Sequence, residues 1–194
     1  HLDSTGVATA LEDVLARVNQ GADFTTLARQ ESESPVTDSV FHKHGELSAE
    51  REALVFGAKA GDLLGPMAEA DGYHLMKVLE FRTGSAEAVH ASHILIDVVN
   101  NDSVAALKQA KQVLAEARSG KSFGDLARQY SKDPSSAAKN GDLGWFVKGR
   151  MVKPFDEAAF KAKPGQIVGP VRSTFGYHII LLHARDSREV RFAD

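Results

Sequence analysis

The sequence predicts an α+β protein of two related domains, each built as a small, mostly antiparallel sheet flanked by helices. Two observations carry this prediction. Similar segments recur in the same order in both halves of the 194-residue chain, and the second half has the element order β-α-α-(α)-β-α-β-β. We expect a first domain at 1–84 that lacks its opening strand, a complete second domain at 85–186, and the start of a following segment at 187–194.

The internal repeat is visible in three pairs of segments. The matching pairs are 21–30 with 120–129, 56–66 with 160–170, and DGYHLMKV (71–78) with FGYHIILL (175–182). The first pair is offset by 99 residues and the other two by 104, so the first module is about five residues shorter between the first and second match. Two modules are too few for a solenoid, which favours tandem domains.

The second module gives the clearer element predictions. In chain order we expect a strand at 89–98, a helix from the N-cap at 101–103 to Gly120, a short helix at 123–130, a polar loop or short helix at 132–140, a strand after Gly141, a helix from Lys153 to Phe160, and strands at 165–171 and 177–183. The first module begins with a helix at 5–19, so its opening strand is either absent or supplied by another segment. Residues 82–87 are small and polar and are expected to form the linker.

Composition excludes several classes of protein. The net charge of −3 and the lack of a basic patch argue against nucleic acid, and no apolar run reaches the roughly 20 residues of a membrane span. The chain has no cysteine, which fits an oxidising compartment and excludes thiol chemistry. It starts at His1 rather than Met, so we expect a piece of a longer protein. The sequence contains no G-x-S-x-G, phosphate loop or H-E-x-x-H, and no cofactor is predicted.

Two histidine pairs were candidates for metal ligands. Residues three apart on a strand point to opposite faces, so His90 and His93 cannot readily share an ion. His42 and His44 can share a face, but no third ligand lies nearby in the sequence. The sequence therefore predicts no metal site.

The second module resembles the parvulin-type (rotamase, PpiC-like) peptidyl-prolyl cis-trans isomerases. The resemblance rests on HASHILI with His93, GDLGWF (141–146), GRMVKPF (149–155), Ala159-Phe160, Gly165, GPV (169–171) and FGYHII (175–180), which span nearly the whole module in order. It implies isomerisation of the X–Pro peptide bond by a non-covalent mechanism. Tandem modules of this kind are found in bacterial envelope foldases, which implies the periplasm or the periplasmic face of the inner membrane.

The resemblance also implies roles for individual residues. His93 and His178 correspond to the paired core histidines of the family, and Ser173 to the hydroxyl that bonds them. The acidic position falls at Asp133 or Pro134, and Asp133 is assigned because only it carries a charge. The residues expected to bind substrate are those of the proline pocket: Leu143, Met151, Phe155 and Phe160.

The first module is expected to be a degenerate copy. Arg51 stands where the second module has Phe155, the acidic loop is shortened, and we expect no partner for His74 in the chain. We therefore expect activity in the second domain only, on unfolded or extended proline-containing polypeptides. The acidic and polar run at 97–102 argues against phosphate-directed specificity.

Two alternatives to an enzyme stay open. One is a non-catalytic, polypeptide-binding chaperone segment that keeps the parvulin fold, and the other is a purely structural or oligomerising tandem. The sequence predicts no contact with nucleic acid or membrane and leaves the oligomeric state unknown.

Overall fold

The computed structural model describes residues 4–194, including all side chains in that range except those of residues 4, 5, 8 and 101. The first three residues of the predicted first domain lie outside this range. The predicted α+β class is confirmed, since the described residues form seven α-helices and six strands in antiparallel pairs. The chain divides into two compact units. The first unit comprises the chain up to Gly84 together with Arg188–Asp194, and the second unit comprises Ser85–Ser187.

The first unit contains three helices and a four-stranded sheet. Its elements in chain order are α1 (Ser4–Asn19), α2 (Phe24–Glu31), β1 (His42–Lys43), α3 (Ala49–Gly57), β2 (Leu63–Glu69), the first part of β3 (Gly72–Ile96) and the last part of β6 (Gly176–Ala193). Side-chain caps define two helix starts, because Asp23 accepts from the Thr26 amide and Ser48 from the Arg51 amide.

The end of the chain supplies the strand that the first module lacks. The sheet order there is β1–β6–β3–β2, with His42 opposite Val190 and Lys43 opposite Glu189. Val190 and Phe192 are buried in one apolar cluster with Val55, Phe56, Met76 and Val78. The sequence assigned 187–194 to a following segment, whereas residues 188–194 group with the first unit. Alternating apolar residues at 190 and 192 favour this strand, because they complete the apolar face of the sheet.

The second unit contains the remaining elements. In chain order they are the last part of β3, a 3₁₀ turn at Val99–Asn101, α4 (Ser103–Arg118), α5 (Phe123–Tyr130), α6 (Pro134–Ala137), β4 (Asp142–Val147), α7 (Lys153–Lys161), β5 (Ile167–Ser173) and the first part of β6. The predicted order of elements is reproduced. The polar stretch at 132–140 contains a single helical turn, capped by Asp133.

The sheet of the second unit has the order β4–β3–β6–β5 and an apolar cluster on each face. Ile94, Ile96 and Ile179 pack with α4 and α5 in one cluster. In the other, Val89, Ala91, Ile180 and Leu182 pack with residues of α7. Strand alternation sends neighbouring residues to opposite faces, so His90 and His93 lie on different sides of the sheet.

Residues 82–87 differ from the prediction. They continue strand β3 instead of forming a loop. Small polar residues are compatible with an extended backbone, and here charged partners fix them. In the first unit Arg82 pairs with Glu189, and in the second unit Glu87 pairs with Arg185.

Candidate active site

Two histidines from adjacent strands form the centre of the site in the second unit. His93 on β3 and His178 on β6 are 7% and 4% exposed, and their Nδ1 atoms lie 3.2 Å apart. The rings are stacked with a centroid distance of 5.5 Å. The structure thus brings together the two imidazoles that the sequence paired.

Asp133 approaches the outer side of this pair from the turn before α6. Its Oδ2 lies 2.8 Å from His93 Nε2 and accepts a bond of 2.6 Å from Ser136 Oγ. Its Oδ1 accepts from the amide and the hydroxyl of Ser135. At the other end of the histidine pair, Ser173 Oγ lies 2.7 Å from His178 Nε2 and accepts from the Phe175 amide.

These contacts join four side chains. An ionised Asp133 can only accept, so His93 donates to it from Nε2. The Nδ1 atoms of the two rings share one hydrogen bond, and His178 Nε2 pairs with the Ser173 hydroxyl. Ser173, His178, His93 and Asp133 thus form one continuous hydrogen-bond chain.

The charges at the site follow from burial and from this chain. Burial, reinforced by the nearby His93, lowers the pKa of His178 to about 4, although Asp133 opposes the shift. Desolvation alone would raise the pKa of Asp133, but hydrogen bonds from Ser135, Ser136 and His93 outweigh it and hold that pKa well below its usual range. At neutral pH the site therefore contains a carboxylate and an uncharged His178.

An apolar cluster lies against the two imidazoles. Phe155 from α7 makes edge contacts with His93 and His178, at centroid distances of 5.7 and 5.3 Å. Leu143 and Met151 are partly buried in the same cluster. Phe160 belongs to it through Phe146, at 6.0 Å, and no ring contact joins it to the histidines among the described residues. All four residues of the predicted proline pocket thus lie in one apolar cluster, and Phe155 is the one with ring contacts to both histidines.

Two contributors were not found from the sequence. Ser136 is 3% exposed and lies 3.0 Å from His93 Nε2, yet the sequence only placed it in a polar loop. Gly141 holds this loop against β3, because its carbonyl accepts from the His93 amide and its amide donates to the Ser136 carbonyl. Its φ is +84°, and a Cβ there would lie 2.6 Å from the His93 carbonyl oxygen. For the second of these contributors the sequence signal was Gly141 itself, the first residue of the GDLGWF segment.

The corresponding positions of the first unit carry an ionic cluster. The offset of 104 equates His74 with His178, Arg51 with Phe155 and Glu69 with Ser173. In the first unit His42 pairs with Val190, and in the second unit Phe146, the equivalent of His42 at this offset, pairs with Val89. Val190 is therefore equivalent to Val89. Four residues further along each strand, Asp194 is equivalent to His93.

His74 therefore has a partner, contrary to the sequence prediction. Its Nδ1 lies 3.0 Å from Asp194 Oδ1 and its Nε2 lies 3.0 Å from Asp71 Oδ1. Arg51 bridges Glu69 at 2.6 Å and Asp194 at 2.5 Å. Burial by itself would lower the pKa of His74, but the hydrogen bonds to Asp71 and Asp194 outweigh burial, so this pKa is raised.

The fold and this site define a class of protein, the prolyl isomerases of the parvulin type. A family model described as the PPIC-type PPIASE domain matches residues 73–186, and a second model of the same description matches residues 2–80. The chain belongs to the PPIC-type peptidyl-prolyl isomerase family.

Several relatives carry the name Chaperone SurA. The protein of that name from Alkalilimnicola ehrlichii is 34% identical over 196 aligned residues, which cover 97% of this chain and 41% of the relative. The one from Shewanella sp. (strain MR-7) is 36% identical and covers 89% of this chain and 42% of the relative. The chain thus spans less than half the length of these relatives. A solved PpiC-type peptidyl-prolyl cis-trans isomerase domain is 28% identical, with a TM-score of 0.51, over 53% of this chain and 94% of that domain.

No helix in the described part of the chain combines the length and the hydropathy that a membrane crossing requires.

Proposed function

We propose that the chain is a peptidyl-prolyl cis-trans isomerase whose activity lies in the second unit and whose substrates are unfolded or extended polypeptides. The observation that carries this proposal is the continuous hydrogen-bond chain from Ser173 through His178 and His93 to Asp133, beneath the apolar cluster around Phe155. Family membership and the SurA chaperones among the relatives support it. The same resemblance supports the periplasm as the compartment.

The chemistry needs neither a nucleophile nor a cofactor. Rotation about X–Pro has a barrier of about 18–20 kcal/mol because amide resonance is lost in the twisted state. A site accelerates this rotation by binding the twisted amide better than either planar form. The pocket of Leu143, Met151 and Phe155 holds the proline ring in an apolar surrounding, which disfavours the charge-separated planar amide. The Asp133 carboxylate acts against the same polarised form.

The histidine pair has a positioning role in this mechanism. Each ring nitrogen of His93 and His178 has a hydrogen-bond partner, so the pair fixes Asp133 and Ser173 at the edge of the pocket. A pKa of about 4 keeps His178 uncharged at neutral pH, so this ring does not act as a general acid in the mechanism.

A protease-coupled proline-peptide assay on the full chain tests the proposal. Met151→Ala is the sharper variant, because Met151 is only partly buried, whereas Phe155 is 2% exposed and its truncation would cost about 3–5 kcal/mol of stability. Losing contact between Met151 and the proline ring should lower kcat/KM by about 10- to 100-fold, equivalent to about 1.5–3 kcal/mol. The matched control is Arg51→Ala in the first unit, which should leave kcat/KM unchanged.

A second variant separates charge from geometry at Asp133. Asp133→Asn keeps an oxygen that can accept from Ser135 but removes the carboxylate charge. We expect kcat to fall while the fold is retained. Unchanged turnover in this variant and in Asp133→Ala would remove the carboxylate from the mechanism.

The outcome of the assay also decides between the enzyme and its alternative. Background activity of the wild-type chain would contradict the enzymatic proposal. The polypeptide-binding role would then be examined by suppression of aggregation of an unfolded client protein, and a negative result there would favour the purely structural tandem.

A further inference from the structure

A second group of histidines lies on the opposite face of the same sheet. His90 on β3 and His183 on β6 have ring centroids 4.8 Å apart. Asp142, the first residue of β4, places its Oδ1 2.7 Å from His90 Nε2. Nitrogen or oxygen ligand atoms of all three residues lie within 4.8 Å of one another. The proline site does not use this group.

We infer that His90, Asp142 and His183 form a binding site for a divalent transition-metal ion such as Zn²⁺. Two imidazoles and one carboxylate are a ligand set that Zn²⁺ accepts, with a fourth position left for water. In tetrahedral coordination at about 2.0–2.1 Å, ligand atoms stand about 3.4 Å apart. The present spacing of 2.7 Å between His90 and Asp142 must therefore open by less than 1 Å, and the other ligand-atom distances, which lie within 4.8 Å, must close by up to about 1.4 Å.

The residues around the ligands fit this assignment. Ser92 Oγ lies 2.7 Å from His183 Nε2 and holds the second imidazole at the cluster. The Gly144 amide donates to Asp142 Oδ1 and orients this carboxylate beside His90.

The cluster lies in a pocket that a cation can reach. His90, Asp142 and His183 all line it, and both Asp142 and His183 are exposed. Lys139 lines the same pocket, and its positive charge weakens the attraction for a metal ion. Lys139→Gln removes this charge and should therefore increase the affinity for the metal ion, whereas loss of a ligand should decrease it.

The ligand positions explain why the sequence gave no signal. They come from three strands, at 90, 142 and 183, so no short spacing motif contains two of them. The candidate partner of His90 that lies nearby in the sequence is His93, which is on the other face of the sheet. Within the described residues, Glu69, Asp71 and His74 form the other group with ligand atoms this close. In that group Glu69 is already bound to the Arg51 guanidinium, which makes it a suitable negative control.

The chain contains a built-in reporter for the test. Trp145 is the single tryptophan, and its ring lies 5.6 Å from that of His90. The experiment is a titration of the metal-stripped full chain at pH 7 with Zn²⁺, followed by calorimetry, and with Ni²⁺, followed by quenching of Trp145 fluorescence. We expect saturable binding of one equivalent and quenching of the tryptophan.

Three variants make the titration decisive. His183→Gln should weaken binding at least about 100-fold, since even outer-sphere partners of a metal are worth about 10- to 100-fold. His74→Gln, in the negative-control cluster, should leave the affinity unchanged, and Lys139→Gln should raise it. Unfolding curves in EDTA establish that each variant is folded.

Two results would overturn the proposal. One is a wild-type affinity weaker than a Kd of about 1 mM, and the other is an affinity of His183→Gln equal to that of the wild type. Isomerase activity measured in EDTA is a separate readout. His183→Gln should retain it, so failure of the metal site and failure of the enzymatic proposal are distinguishable.

Discussion

Acidification should destabilise the second unit, and the buried His178 makes a contribution whose size can be worked out. The pKa of His178 is about 4 in the folded protein, mainly because of burial, against 6.5 for an unperturbed histidine. Between these values the unfolded chain binds a proton that the folded protein does not, so the free energy of unfolding falls as the pH falls. With these two values the loss is about 2 kcal/mol between pH 7 and pH 5, and about 3 kcal/mol by pH 4.

Asp133 does not produce this effect in the same pH window. Its pKa is lowered from 3.8, so its stabilising contribution is complete above the unfolded value and disappears only as the pH falls below it. The two groups thus act in sequence during acidification, with His178 first and Asp133 afterwards. A measurement confined to pH 5–7 leaves Asp133 ionised, and the difference between the wild type and His178→Gln separates His178 from His183, whose pKa burial also lowers.

The assay is urea unfolding in EDTA at pH 7, 6 and 5, followed by Trp145 fluorescence, for the wild type and His178→Gln. Glutamine keeps a hydrogen-bond donor and acceptor but does not titrate. The variant should be less stable at pH 7, yet its loss of stability between pH 7 and pH 5 should be smaller by about 2 kcal/mol. Parallel pH profiles for the two proteins would refute the reasoning.

Three further predictions concern the turn and the first unit. Gly141→Ala should destabilise the second unit by at least about 2 kcal/mol and lower isomerase activity, because its φ is +84° and its Cβ would clash with the His93 carbonyl; urea unfolding and the peptide assay check this. Arg51→Ala should destabilise the first unit by about 1–3 kcal/mol, measured by amide hydrogen exchange in α3, since its two carboxylate partners lose their counter-charge. The raised pKa of His74 contributes stability below about pH 6.5 that is lost as pH rises, so exchange in β2 should accelerate from pH 6 to 8 after correction for the intrinsic rate.

Most of the fold could be predicted because each element carries its own pattern. The buried residues Val113 and Ala117 recur at helical spacing, and β-branched alternation marks the strand before Asp97. The role of residues 188–194 could not be predicted in this way. A strand of four or five residues is specified by its partners, and here the partner Lys43 is far away in the sequence. The small, polar composition of residues 82–87 is typical of a linker. Their place in a strand depends on ion-pair partners that are distant in the sequence.

The site was predictable to the extent that its residues lie inside motifs. His93, Met151 and His178 belong to such stretches, and the structure places them around one apolar cluster. Ser136 was missed because a serine in a polar loop carries no periodic signal, and its role depends on a distance of 3.0 Å to His93. Asp194 was missed for a different reason. Its equivalence to His93 follows only from strand register, which the sequence does not contain.

The register also explains why the proposal assigns activity to the second unit. Both units place a histidine with its Nδ1 facing the next strand, at 3.2 Å from His93 in one and 3.0 Å from Asp194 in the other. Where a carboxylate stands in place of the His93 imidazole, the pKa of the histidine is raised instead of lowered, and Arg51 then occupies the position of Phe155 as counter-charge.

A proline ring entering the first unit would have to displace a guanidinium bound to two carboxylates, and no hydrogen bond from the ring could replace those contacts. The apolar residues that hold that sheet together, such as Met76 and Val190, belong to a separate cluster. The fold of the first unit is therefore compatible with the loss of a proline pocket, because the residues that stabilise the sheet differ from those that would bind the ring.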